Sequence, residues 1–416
     1  MLDMRAHPRV VRSRPTAGAG LLLELIRSER AVTKVELAEA SGFARATVND
    51  RLELLLESGL LASAPPKRST GGRRPAAYAL NEEAGVILVA AMGASAVRFA
   101  CCNLAATVLA DERQPIDITA GPTVVLEIVR RGLSAVLEAA GRAVDEVRGV
   151  TLGVPGPVDF ADGRVVSPWT TSGWDGLDIR GALALPYPGP LLVENDANLM
   201  ALGEHRAVLR GDEDCMFLKV GTGVGCGMVV FGRLYRGSVG GAGDIGHIRG
   251  DGLDDVCRCG NRGCVEAAAG GWALTRDLRE RGRDVSSPAD VVELLRANDP
   301  ESVELAAQAG RVLGAAVADA VSLLNPSVVV LGGQIAHADE RMLDRIREVV
   351  YSRSLPLVTR ALRLQMSSLG EHAGVIGGAH LMLEHVFAPE AVDRALTAAD
   401  GAQKGPRHAV TAGQDN

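Results

Sequence analysis

The chain has 416 residues, 23% of them charged and 3% aromatic, with a formal net charge of −7, so it is long enough for more than one domain and at least two cores. Its seven cysteines show no disulfide-like framework, which implies a reducing cytoplasm. The first apolar run, 21–26, is too short and too interrupted by Glu24 for a signal peptide or a membrane span. Charge is divided unevenly, because residues 1–80 hold 13 Lys and Arg against 8 Asp and Glu while the remainder is acidic. A basic module on an acidic body points to nucleic acid as a partner of the first part alone.

Three apolar-periodic segments are predicted within 18–59. Leu22, Leu25 and Ile26 share one face of a first helix. Thr33 and Glu36 spell a capping box that opens a second helix, running to about Ala40 and ended by a turn at Ser41 and Gly42. The third helix sets Val48, Leu52, Leu55 and Leu56 on one side and Arg45, Ala46 and Asn49 on the other. This is the layout of a helix-turn-helix, with 45–51 opening the recognition helix. The run PPKRSTGGRRPAAYAL that follows reads as the basic wing and strand of a winged helix. The expected DNA-facing set is Arg45, Ala46, Thr47, Asn49 and Arg51 on the helix, with Lys67, Arg68, Arg73 and Arg74 on the wing. Arg45, Thr47 and Asn49 would meet base edges in the major groove, and the wing cations phosphates or the minor groove.

From Gly85 onward strand-like runs alternate with helices. Residues 86–104 read as a hairpin, 124–143 as an amphipathic helix and 149–159 as a buried strand ending in a glycine-proline turn. Residues 191–205 are a strand feeding a helix, and 215–237 a second glycine-bearing hairpin. A long helix, 304–324, then leads into the strand SVVVLGG. Two glycine-marked hairpins, each followed by helices and strands, predict two similar α/β lobes around a cleft.

The stretch 241–267, GAGDIGHIRGDGLDDVCRCGNRGCVEA, carries the densest chemistry. His247, Cys257, Cys259 and Cys264 offer one imidazole and three thiols to a single cation, a set that favours tetrahedral zinc. With all four positions supplied by protein, the Zn2+ would be structural. Gly260 and Gly263 allow the tight return of Cys264.

Residues 153–159, 194–204, 220–227, 242–247 and the cysteine segment together resemble the ROK family of repressors, open reading frames and sugar kinases. The GRRP run at 72–75 resembles the wing of its regulator branch. The resemblance spans nearly 18–385. It implies an α/β, actin-like two-lobed sugar-kinase (ribonuclease H-like) fold preceded by an N-terminal winged helix-turn-helix domain. The expected domains are 1–80 for DNA binding, 81–198 for the first lobe, completed by a helix near 373–387, and 199–372 for the second lobe with the zinc site. From 388 to 416 a mobile tail is expected, since no apolar face is sustained there.

In the family's kinases a hexose is held at positions that here are Asn195, Asp196, Asp244, His247 and Glu266. Asp244 departs from the family's Glu and is one methylene shorter. Asp196 is the position of the kinase base, but the family's first phosphate motif, D-x-G-G-T, is replaced by Ala91, Met92, Gly93, Ala94 and Ser95. The lost carboxylate and added methyl remove support for metal-bound phosphates. The expectation is therefore a catalytically inactive, sugar-responsive regulator, a repressor of carbohydrate genes. It would bind a double-stranded DNA operator and a sugar effector, away from membranes, as a homodimer or homotetramer. The alternative is an ATP-dependent sugar kinase, of glucokinase or N-acetyl-hexosamine kinase type, carrying a DNA-binding domain.

Overall fold

The computed structural model describes residues 15–64, 76–166, 173–209 and 213–403. The chain divides into two compact units, residues 1–84 with 384–416, and residues 85–383.

The first unit opens with α1 (Ala19–Arg27), α2 (Lys34–Ser41) and α3 (Arg45–Glu57). Leu22, Leu25 and Ile26 of α1 are buried, as are Leu37 of α2 and Val48, Leu52 and Leu55 of α3. Each helix thus gives one apolar stripe to a common core. Leu56, expected on that stripe, is 36% exposed, because it stands one residue past the i, i+4, i+7 row. The capping box forms: Glu36 N–H donates to Thr33 Oγ1 at 3.4 Å, and Thr33 N–H donates to Glu36 Oε2 at 2.9 Å. Strands β1 (Leu61–Ala64) and β2 (Ala77–Leu80) pair antiparallel. Tyr78 N–H donates to the Val32 carbonyl at 2.9 Å, which ties this hairpin to the entry of α2. The wing tip, with Lys67, Arg68, Arg73, Arg74 and the GRRP run, lies outside the described residues.

The second unit contains two five-stranded sheets of the same design. In the first, β3 (Val86–Met92), β4 (Ala96–Asn103) and β5 (Val108–Pro115) form an antiparallel meander. Strands β6 (Val147–Val154) and β7 (Leu191–Asn195) extend it in parallel from β3, giving the order β5-β4-β3-β6-β7. The second sheet repeats this with β8 (Cys215–Val220), β9 (Val224–Val230), β10 (Arg233–Leu234), β11 (Val328–Gly332) and β12 (Arg363–Met366), in the order β10-β9-β8-β11-β12.

Helices cover both sheets. α4 (Pro122–Ala139) lays Val125, Val129, Leu133 and Val136 over one face of the first sheet. α5 (Asp196–Glu204) packs on β9. α6 (Pro300–Leu324) and α7 (Arg341–Arg353) pack on each other in the second core. α6 is long and apolar enough to cross a membrane, yet here Leu305, Ala309, Leu313, Val317 and Val321 are buried core residues. α8 (Ala373–Val386) returns to the first sheet, where Thr151 Oγ1 donates to the Gly378 carbonyl at 2.9 Å. α5 and α8 touch backbone to backbone: a Cβ on Gly377 would lie 1.8 Å from the Leu199 carbonyl oxygen, and one on Gly203 would lie 2.1 Å from that of Ala373.

The chain then forms α9 (Pro389–Gln403), which belongs to the first unit. The expected tail from 388 is corrected by this helix. Val392 and Leu396 are buried, and Asp393 accepts the backbone N–H groups of Gly18 and Gly20 at 2.8 and 2.9 Å. Those donors stand at the start of α1, whose N-cap Gly18 has no side chain to serve them.

Candidate functional site

A cleft of about 470 Å³ opens between the two sheets of the second unit. It is lined by the ends of the parallel strands and the turns that follow them, through Pro155 to Pro157, Asn195, Asp196 and Gly333. This is where open α/β sheets hold ligands. Both hairpin turns reach it as well, through Gly93, Ala94 and Ser95 on one side and Gly221, Thr222 and Gly223 on the other.

The structure brings all five expected sugar-facing residues into this cleft. Asn195 caps α5, its Oδ1 accepting the Asn198 N–H at 3.1 Å while its Nδ2 donates to the Gly156 carbonyl at 2.9 Å. Asp196, nearly buried, is in an ion pair through Oδ2 with the Lys219 ammonium. Glu266 joins its helix to the glycine turn: Oε2 accepts the Val224 N–H at 2.9 Å, and Oε1 accepts Trp272 Nε1–H at 3.0 Å. Each oxygen keeps a lone pair for a ligand hydroxyl. Asp244 is exposed on the turn before His247. Partial desolvation by the cleft walls still raises its carboxyl pKa, opposed by His247 and reinforced by Glu266.

Beside the cleft His247, Cys257, Cys259 and Cys264 converge, with one donor atom of each within 4.8 Å of all the others. Cys259 Sγ and Cys264 Sγ are 3.6 Å apart, and Cys257 Sγ lies 3.7 Å from His247 Nδ1. Bonds of ~2.3 Å from sulfur to zinc at tetrahedral angles set sulfurs about 3.8 Å apart, so the spacing fits. Gly260 and Gly263 hold φ of +88° and +79°, the left-handed turns that bring Cys264 back to the cluster. Without a cation, burial raises the Cys257 thiol and pushes that of Cys264 up to about 12. A divalent ion is what would make three thiolates tolerable in one place. The other nitrogen of His247, Nε2, lies 3.8 Å from Asp244 Oδ1, so one imidazole links the cluster to the cleft wall. The remaining cysteines, Cys101, Cys102, Cys215 and Cys226, are buried and free. Burial pushes each thiol to about 12, which leaves them chemically inert.

In the first unit Arg45 and Ala46 are exposed and Thr47 and Asn49 half-buried at the start of α3. Arg51 departs from the expectation. It is 8% exposed, and its Nε donates to the Ala17 carbonyl at 2.8 Å. Six residues from Arg45, it turns into the module and fastens α3 to the segment before α1, so it leaves the DNA-facing set.

The ROK family model matches residues 88–385. This chain belongs to the ROK family. It is 27% identical over 366 residues to the xylose repressor of Bacillus spizizenii, covering 88% of this chain and 94% of that protein. A solved ROK family transcriptional regulator, a homologue of the E. coli MLC protein, shares the fold with a TM-score of 0.75. That match has 24% identity and covers 92% of this chain and 99% of that one. A ROK family glucokinase from Streptomyces griseus, solved with glucose and AMPPNP, is 27% identical with a TM-score of 0.63, over 71% of this chain and 99% of its own.

Several groups that shape the cleft of this ROK protein were not singled out from the sequence. Lys219 is one. Glu194 is another: buried, it accepts Arg236 Nε at 2.6 Å, and its other oxygen takes the Asn195 N–H and Asn198 Nδ2, each at 2.9 Å. Arg236 also covers the Phe160 ring at 3.9 Å. Trp272 lies under Arg258, 4.8 Å from its ring centre. A lone lysine inside the apolar strand CMFLKV was a legible signal, since a charge there needs a partner. The Glu194–Arg236 pair, 42 residues apart, left no local pattern to read.

Proposed function

We infer that this protein is a sugar-responsive transcriptional regulator, acting as a repressor of carbohydrate genes through a cleft that binds sugar without phosphorylating it. The observation that carries the reading is Asp196. At the position expected for the kinase base, its Oδ2 is fixed in an ion pair with Lys219, which suits the carboxylate to hold a sugar hydroxyl as a hydrogen-bond acceptor. The Ala91–Ser95 hairpin carries the defect for catalysis, because no carboxylate at Ala91 supports metal-bound phosphates. Similarity to a xylose repressor over most of both chains supports regulation over catalysis.

In this reading Asn195, Asp196, Asp244, His247 and Glu266 meet sugar hydroxyls, and a structural zinc at His247, Cys257, Cys259 and Cys264 fixes one wall of the cleft. Arg45, Ala46, Thr47 and Asn49 face the operator, and a cytoplasmic homodimer or homotetramer presents paired modules to half-sites. Coupling follows the chain: α8 lies on the first sheet and leads into α9, which is bonded to the start of α1. A sugar that binds one cleft shape better than another shifts DNA affinity by that difference.

The test is a gel shift of the full-length protein on DNA upstream of its own gene, at fixed salt, with a panel of pentoses, hexoses and N-acetylated amino sugars. One sugar is expected to change a specific shift, and Asp196→Ala to abolish that response while binding DNA as the parent does. A mutant that still responds would remove the cleft assignment. ATP turnover on the same panel above that of Asp196→Asn would establish the kinase instead.

A further inference from the structure

One end of the cleft holds a row of side chains that sugar binding does not use. Ala91 on β3, Arg98 on β4 and Arg113 on β5 are consecutive cross-strand partners. Their side chains therefore leave the same face of the sheet, and all three line the cleft. Two arginines directly opposite each other repel. Glu371 stands between them, its Oε2 at 2.5 Å from Arg98 Nη2 and 3.7 Å from Arg113 Nε. The other terminal nitrogen of Arg98 is paired with Asp111 and lies 3.3 Å from His372 Nε2.

Arg98 Nε is buried and has no hydrogen-bond partner among the described residues. On the neighbouring strand the facing residue is Ala91, whose methyl accepts nothing. The Glu371 side chain is 59% exposed and sits on the short Gly370–His372 turn that enters α8. A carboxylate of the protein itself thus fills, from the solvent side, a place where two guanidinium groups converge.

We propose that Arg98 and Arg113 form a phosphate-binding subsite at this end of the cleft that works without a metal ion, with Glu371 as its internal competitor. The planar guanidinium fork pairs two nitrogens with two phosphate oxygens, and charge-assisted bonds of this kind need no divalent cation. Where a carboxylate at position 91 would call for a cation between itself and phosphate, an alanine lets the arginines meet the anion directly. The phosphate belongs to a phosphorylated sugar or to a nucleotide, and the recognition is the same for both. Its entry displaces Glu371, two residues before the start of α8, so occupancy acts on the helix by which the chain leaves the second unit.

The subsite needs a ligand to enter this cleft but does not depend on DNA binding. It is tested by calorimetry on the full-length protein, without added divalent metal, using glucose, inorganic phosphate, glucose 6-phosphate and ADP as probes. At least one phosphate-bearing probe is expected to bind. Arg113→Gln should weaken it tenfold or more, and Glu371→Gln should tighten it severalfold by removing the competitor. Glucose 6-phosphate binding more tightly than glucose, phosphate and ADP identifies a phosphosugar; ADP binding most tightly identifies a nucleotide. Arg113 is half exposed, so its variant is expected to fold, which thermal unfolding verifies. The proposal is overturned if no phosphate-bearing probe binds, or if binding is the same in both variants. Glucose binding that survives in Arg113→Gln would separate that failure from a failure of the sugar cleft.

Discussion

Arg51 and Lys219 are cations turned toward the protein, and each is held by a partner that decides what it can do. Arg51 shows how a helical wheel misleads: it lies in the stretch expected to enter the major groove, yet its guanidinium is turned inward to the Ala17 carbonyl. A buried hydrogen bond from a charged donor is worth ~1.5–3 kcal/mol. Arg51→Met is therefore expected to destabilise the first unit by about that much in urea unfolding, while the folded variant keeps its DNA affinity. Unchanged stability with weakened binding would return Arg51 to the DNA face. The exposed Arg45 should behave the opposite way. At this scale the sequence made residue types legible, and the cysteine cluster was fully so because four ligands within eighteen residues constrain each other. It did not make legible the partner of a charge when that partner is distant, as with Lys219 and Asp196 or Arg236 and Glu194.

Two elements escaped the sequence for the same physical reason, a polar face that is nevertheless structural. β5 carries Asp111, Glu112 and Arg113 at the outer edge of the first sheet, where charge guards against edge pairing and erases the apolar alternation. Among its described residues α9 buries Val392 and Leu396 on its inner face, while Asp393 and Thr397 between and beyond them bond to α1 and to Thr16. A helix that caps another helix cannot be apolar on the side that does the capping. The carboxylate of Asp393 supplies what an N-cap side chain would, and such caps contribute ~0.5–2 kcal/mol. Asp393→Ala should lower the unfolding midpoint of the first unit accordingly, and Asp393→Asn, which still offers an oxygen, should recover part of the loss. Equal stability of all three proteins would mean that α9 rests on α1 without supporting it.

At the scale of the whole chain, two similar α/β lobes around a cleft were readable from the two glycine-marked hairpins, whereas the strand order within each lobe and the way the two lobes are joined were not. That joint is the crossing of α5 with α8, where Gly203 and Gly377 let two backbones meet. Nothing in either helix's own periodicity announces a neighbour 174 residues away in the other lobe. The crossing lies next to both groups proposed above to meet ligand: α5 begins at Asp196, and α8 follows Glu371 and runs on toward α9. A ligand that releases Asp196 from Lys219, or Glu371 from Arg98, therefore acts on a helix of this pair. Packed helices shift between discrete arrangements and do not deform continuously. A methyl added at Gly377 would meet the Leu199 carbonyl at 1.8 Å, which the helices relieve only by separating. Overpacking of this kind costs ~1–3 kcal/mol, occasionally more. Gly377→Ala should accordingly lower the unfolding temperature of the second unit and, in the gel shift, blunt or invert the response to sugar while the DNA-bound state without sugar persists. A variant with parental stability and an unchanged sugar response would show that the lobes are coupled elsewhere, as through the Arg236–Glu194 pair.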